Sequence, residues 1–195
     1  MDPLLSVITD DARRYRGPGS STRRLFMSHP GFRAVVLFRV QERLTRVTRA
    51  LPLARLIHTI NLALHGIDFV LGAGIGPGLR VEHPVGIVVG AGVRVGADAT
   101  ILQNVTLGER HGDGSGGGHD CPVVGDRVVL GAGCVLIGGI VVGDDVSIGA
   151  NAVVTSDVPS GSTAVGVPAK VLPGQRGGRS PEPDRHPLPI ERDSR

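Results

Sequence analysis

Cut in sixes, residues Val124–Pro159 read VGDRVV, LGAGCV, LIGGIV, VGDDVS, IGANAV, VTSDVP. Each hexad opens on an aliphatic residue: Val124, Leu130, Leu136, Val142, Ile148 and Val154. The fifth positions carry Val128, Cys134, Ile140, Val146, Ala152 and Val158. A strand alternates every two residues and a helix returns near every 3.6, so a sustained period of six belongs to neither alone. It fits a coil with flat faces: three faces to a coil, one short strand per face, and a turn at each corner. Gly, Asn and Asp near the corners tolerate the backbone angles that corners demand. Stacked coils bury a continuous aliphatic core, so the expected fold is the hexapeptide parallel β-helix. Gly is not at every third position, which excludes a collagen helix.

The same period runs upstream from Val89, Val95 and Ile101, and before that through Phe69, Ile75 and Val81. Two extra residues between Val81 and Val89 shift the phase. They fall in GLRVEHPVGIVVG (Gly78–Gly90), where Glu-His-Pro interrupts a run of Val, Ile and Gly. A second interruption, GERHGDGSGGGHDCP (Gly108–Pro122), is too polar and Gly-rich to form a layer and is expected to leave the prism as a loop. Composition agrees. With 30 Gly, 3% aromatic residues and no Trp in 195 residues, the core must be small regular layers of Val, Ile and Ala.

Residues 1–66 read as an α-helical lead-in. Ser6 or Thr9 offers an N-cap for SVITDDARRY. GFRAVVLFRVQERLTRVTRAL sets Phe32, Val36 and Val40 on one side and Arg39, Arg43 and Arg46 on another, with Pro52 marking a break near its end. ARLIHTINLALHG forms a further helix stopped by Gly66. The first 65 residues hold eleven Arg against four acids, although the whole chain carries only +3. We read the Arg residues as the solvated face of a helix and expect no nucleic-acid partner, because no aromatic ladder accompanies them. Residues 173–195, rich in Pro, Gly, Arg and acids, are expected to be disordered. The two cysteines give neither a disulfide framework nor zinc spacing. No basic leader precedes an apolar run, and no stretch approaches the roughly 18 apolar residues of a membrane span. Reduced thiols in the cytoplasm, without membrane association, are the expectation.

The helical lead-in, GID, VEHPVGIVVG, ILQNVTLG, the extruded loop and AVGVPAKVL together resemble the serine O-acetyltransferases, short form, of the hexapeptide-repeat acyltransferase superfamily. The resemblance runs from about Ser6 to Leu172. It implies a left-handed parallel β-helix over residues 67–172, with an extruded loop at 108–122, behind a short N-terminal α-helical domain. It also implies acetyl-CoA as co-substrate and transfer of acetyl to the hydroxyl of L-serine or a closely related hydroxy amino acid. A hydroxyl is barely ionised at neutral pH, so its proton must leave as it attacks. Imidazole, with an ordinary pKa of about 6.5, suits that task. The family's general base falls on His83, and its orienting carboxylate, fifteen residues earlier, falls on Asp68. A carboxylate bonded to one ring nitrogen fixes the tautomer and frees the other nitrogen.

By the same resemblance, Glu82 replaces the Asp that holds the amino acid, and Asp10 or Asp11 matches a substrate-facing carboxylate of the helical domain. In the loop, the family's Asp-Arg-His-Pro becomes GGHDCP. Cys121 then stands in the place of the His, and His119 is chosen as the substrate contact over His111 and Arg110. The turns at Gly108, Gly131, Ala132 and Gly149 are expected along the pantetheine arm of acetyl-CoA. Lys170, the only lysine in the chain, is expected near its phosphates. The family's slot lies between subunits, which implies a homotrimer, with pairing of two trimers a further option. The family's terminal Ile, which docks into cysteine synthase, is here Asp193-Ser194-Arg195, so that partner is not expected. No metal is assigned, because ligands such as His111, Asp113 and His119 would be poorly pre-ordered in so Gly-rich a stretch. Two other readings are an acyltransferase acting on a sugar or polysaccharide hydroxyl and a non-catalytic trimeric scaffold. The lead-in and the Asp68–His83 spacing argue against the sugar enzyme, and the lack of a clear metal-binding His triad argues against a scaffold of the carbonic-anhydrase-like kind.

Overall fold

The computed structural model describes residues 3–16, 21–110 and 120–174. The six-residue period closes into three sheets that form a parallel β-solenoid. The first sheet stacks β1 (Ile67–Phe69), β4 (Ile87–Val89), β7 (Thr106–Gly108), β10 (Val135–Ile137) and β13 (Val153–Val154). The second stacks β2 (Gly74–Ile75), β5 (Arg94–Val95), β8 (Val123–Val124) and β11 (Val141–Val142). The third stacks β3 (Arg80–Val81), β6 (Thr100–Ile101), β9 (Val129–Leu130), β12 (Ser147–Ile148), β14 (Thr163–Val165) and β15 (Lys170–Leu172). All pairings are parallel except that of β15, which turns back antiparallel on β14.

The register shows where the repeat is regular and where it is not. Val135 pairs with Val153 and Ser147 with Val129, one regular coil apart. Asp68 pairs with Val88, a spacing widened by the two extra residues after Val81. Thr100 pairs with Val129, a separation widened by the second interruption of the repeat. Inward residues such as Ile67, Val89, Ile101, Leu107, Leu130 and Leu136 are wholly buried in one continuous core. Corners are closed by the next coil: the amide of Ala97 donates to Asp126 Oδ1 (2.7 Å) and that of Asp126 to Asp144 Oδ1 (2.8 Å). Cys134 lies in the core, where burial pushes its thiol up to about 12, and Cys121 is buried and raised for the same first reason.

The lead-in comprises α1 (Pro3–Arg13), α2 (Thr22–Ser28), α3 (Pro30–Thr45) and α4 (Leu51–His65). Three details differ from the sequence reading. Ser6 and Thr9 lie inside α1 rather than capping it, and the Thr9 hydroxyl donates back to the Leu5 carbonyl (2.7 Å). Pro52 does not end a helix. It occupies the first turn of α4, where its missing N–H costs nothing, and α3 has already stopped at Thr45. The buried face of α3 is Gly31, Phe32, Ala34, Val35, Phe38, Arg39 and Gln41, so Val36 and Val40 sit at its edge. Gly66 does stop α4, in the left-handed conformation (φ 65°). No helix among the described residues is long and apolar enough to cross a membrane.

The burial of Arg39, 2% exposed, has a backbone cause. In this stack backbone N–H and carbonyl groups of neighbouring coils pair with one another, as in Gly74 N to Val93 O (3.0 Å). The first coil therefore has carbonyls with no coil before it to supply donors, and buried carbonyls must be paired. The lead-in supplies them. Gln41 Nε2 donates to Phe69 O (2.7 Å), Arg39 Nη1 to Ile75 O and Nη2 to Gly76 O (both 2.6 Å), and Tyr15 Oη to Val81 O (3.2 Å). Arg39 is neutralised by Asp11, through Nε to Oδ2 (2.8 Å) and Nη2 to Oδ1 (3.0 Å). Phe38 meets Phe69 edge to face at 4.9 Å between ring centroids. The helices are the lid of the prism.

Gly31 marks the closest approach of that lid. A Cβ there would fall on the Val81 carbonyl oxygen, a backbone atom that cannot step aside. Gly→Ala inside a helix ordinarily stabilises by about 1 kcal/mol. Here we expect Gly31→Ala to destabilise by about 1–3 kcal/mol through overpacking. A urea midpoint equal to or above that of the parent chain would refute this reading of the contact.

Candidate active site

Residues 82–86 form the widened corner between β3 and β4. Two contacts fix it: Gly86 N donates to Gly66 O (2.9 Å) and Asn104 N to Val85 O (2.8 Å). Gly86 adopts φ +66°, and a Cβ there would also strike the Asn104 side chain, so glycine alone fits. His83 is exposed on this turn, and among the described residues its ring has no hydrogen-bond partner. The same edge of the prism carries every later turn from the third sheet to the first. Backbone bonds run down it from Gly133 N to Gln103 O and from Asn151 N to Ala132 O, each 2.8 Å. His83, Glu82, Gly131, Ala132 and Gly149 thus share one edge.

The other expected site residues are distributed differently. Gly108 ends β7 at the next corner, and a Cβ on it would meet nothing within 4 Å. Lys170 is exposed on β15, at the far end of the third sheet. His119, with His111 and Asp113, lies outside the described residues. Among those that are described, no three His, Cys, Asp or Glu side chains are grouped to hold a metal ion.

The two helical carboxylates separate sharply. Asp11 is fully buried, and its Oδ1 also accepts from Leu79 N (2.8 Å). The expected substrate contact at Asp11 is thereby corrected, since every oxygen is spent on the lid. Asp10, about one-third exposed, pairs with Arg13 at 2.8 Å.

Asp68 points outward from the middle of β1, opposite Val88. Its Oδ1 lies 2.8 Å from Nε2 of His58, a residue of α4, and no bond joins it to His83 among the described residues. The expected Asp68–His83 bond is therefore not made in the isolated chain. α4 folds back over β1 and brings His58 to the carboxylate first. Glu82 likewise has a neighbour the sequence reading did not include: Arg80 Nε stands 2.7 Å from Glu82 Oε1. Arg80 was legible in principle, because residues two apart on a strand share a face. His58 was not, because its approach depends on how a helix reverses.

A six-residue solenoid with a histidine turn set over a column of small-residue turns defines a hexapeptide-repeat transferase. The family model described as bacterial transferase hexapeptide (six repeats) matches residues 121–156. Serine acetyltransferase of Helicobacter pylori (strain J99) is 43% identical over 152 residues, covering 78% of this chain and 86% of the relative. That of Mycobacterium tuberculosis (H37Rv) is 40% identical over 172 residues, covering 87% and 73%. Among solved structures, the Neisseria gonorrhoeae serine acetyltransferase is 31% identical with a TM-score of 0.79, over 91% of this chain and 69% of that one. A serine acetyltransferase in complex with CoA is also 31% identical, with a TM-score of 0.76, over 87% and 69%. The chain belongs to the serine acetyltransferase family.

Proposed function

We propose that the protein transfers the acetyl group of acetyl-CoA to the hydroxyl of L-serine or a closely related hydroxy amino acid, with His83 as general base. The observation that carries this reading is the widened turn, which holds an imidazole exposed above a glycine-lined edge in a chain of this family. The acceptor oxygen attacks the thioester carbonyl carbon as His83 takes its proton. The C–S bond then breaks, and the proton passes to the departing sulfur, giving the acetyl ester and free CoA. In the assembled enzyme Asp68 orients and stabilises the imidazolium through Oδ2, since His58 holds its Oδ1. Gly108, Gly131, Ala132 and Gly149 border the pantetheine arm, Lys170 faces the CoA phosphates, and Glu82, Asp10 and His119 serve the acceptor. The two free thiols suit a cytoplasmic setting.

The active form in this reading is a homotrimer, because one chain presents His83 on an open edge and a neighbour is needed to wall the slot. Acetyl-CoA incubated with a panel of L-serine, L-homoserine, L-threonine and free sugars, with loss of the thioester followed optically, tests the acceptor. Light scattering on the same sample tests the assembly. We expect turnover with a hydroxy amino acid and a mass of three chains. Turnover with sugars alone would replace the acceptor class, turnover with nothing would leave a scaffold, and a fully active single chain would remove the shared slot.

A further inference from the structure

Arg80 and Glu82 are successive outward residues of β3 and the turn that follows it, with the inward Val81 between them. Their side chains are 39% and 36% exposed, so both remain open to a ligand at the edge where His83 sits. The 2.7 Å contact from Arg80 Nε to Glu82 Oε1 lies off the N–H direction, which makes it a charge pair rather than a hydrogen bond. The lead-in holds the guanidinium. Arg80 Nη1 donates to Arg14 O (3.0 Å), and its central carbon stands 5.9 Å from the Tyr15 ring centroid. Tyr15 is itself fixed, accepting from Val81 N at 2.6 Å. Nη2 has no hydrogen bond among the described residues.

A carboxylate already paired with a guanidinium is a poor counter-ion for a lone ammonium, which must compete for it. An α-amino acid differs, because it carries both charges on one carbon and can set its carboxylate on the guanidinium and its ammonium on Glu82. Resting on the function proposed above, we infer that Arg80 is a specificity-determining residue. It binds the α-carboxylate of the acceptor, and the Arg80–Glu82 couple selects zwitterionic acceptors over amino alcohols.

The test compares L-serine with ethanolamine, which keeps the ammonium and the hydroxyl but lacks the carboxylate, in the parent chain, Arg80→Met and Arg80→Lys. Loss of a charge-assisted contact predicts that Arg80→Met raises KM for serine about 10- to 100-fold. It should leave kcat and KM for acetyl-CoA near parent values, and it should not weaken kcat/KM for ethanolamine. Arg80→Lys should recover part of the loss for serine. Equal losses for both acceptors, or an unchanged serine KM, would overturn the inference. A binding readout separates it from the catalytic reading: serine without acetyl-CoA should raise the melting temperature of the parent chain and not of Arg80→Met. If the parent chain showed that shift but no acetyl transfer, the catalytic reading would fail while Arg80 kept its role. If serine shifted neither chain, Arg80 would lose it.

Discussion

His83→Ala is expected to lower acetyl transfer by about 100- to 10,000-fold while leaving CoA bound as tightly as before. That range is what a positioned general base contributes to proton transfer. The separation of the two effects follows from the edge on which His83 sits. The turns at Gly131, Ala132 and Gly149 are held by coil-to-coil backbone bonds that do not involve the imidazole. His83 is exposed and its ring makes no hydrogen bond among the described residues, so truncation should also leave the melting temperature within the small range of ordinary surface changes. Rapid-mix turnover with serine, set beside calorimetric CoA binding, reads both. Near-normal turnover would remove His83 from the chemistry, and loss of CoA affinity together with turnover would make it a binding residue.

Asp11→Ala is expected to destabilise the fold by about 3–5 kcal/mol, the cost of leaving a buried cation without its partner. Domain stabilities are about 5–15 kcal/mol, so this is about a fifth of the total or more. The partner cannot simply swing into water. The side chain of Arg39 is 1% exposed, and its nitrogens are committed to Ile75 O and Gly76 O. Removing Asp11 also frees Leu79 N. The double change Asp11→Ala with Arg39→Met should recover part of the loss, since it removes the stranded charge, but not all of it, since Ile75 O and Gly76 O then lose their donors. Denaturant midpoints of the two single variants and the double give the coupling. A single Asp11→Ala within about 0.5 kcal/mol of the parent, the range of ordinary surface changes, would show that the clamp does not hold the lid.

The solenoid was legible because its rule is local and repeated. Six residues set one strand and one corner, and the breaks in phase after Val81 and after Gly108 are where the register departs from the regular coil. The site was partly legible for the same reason, since a His in a widened corner has no packing duty. What escaped the reading lay across elements. Arg39 has the spacing of a solvated helix row, and only the unpaired carbonyls of the first coil draw it inside. Asp11 follows it, so a residue with the look of a substrate contact proves to be a strut. His58 sits ten residues ahead of Asp68 with no pattern linking them, because the bond exists only once α4 has folded back over β1.

An open solenoid is a growing tip, and any naked rim invites the rim of another molecule. Here the upper rim is sealed by guanidinium, amide and phenol donors, and the third sheet ends below in a strand that doubles back on its neighbour. Axial addition of strands is thus hindered at the upper rim and at the foot of the third sheet. The shared slot proposed above would then lie flank to flank, along the flat walls where the histidine edge runs.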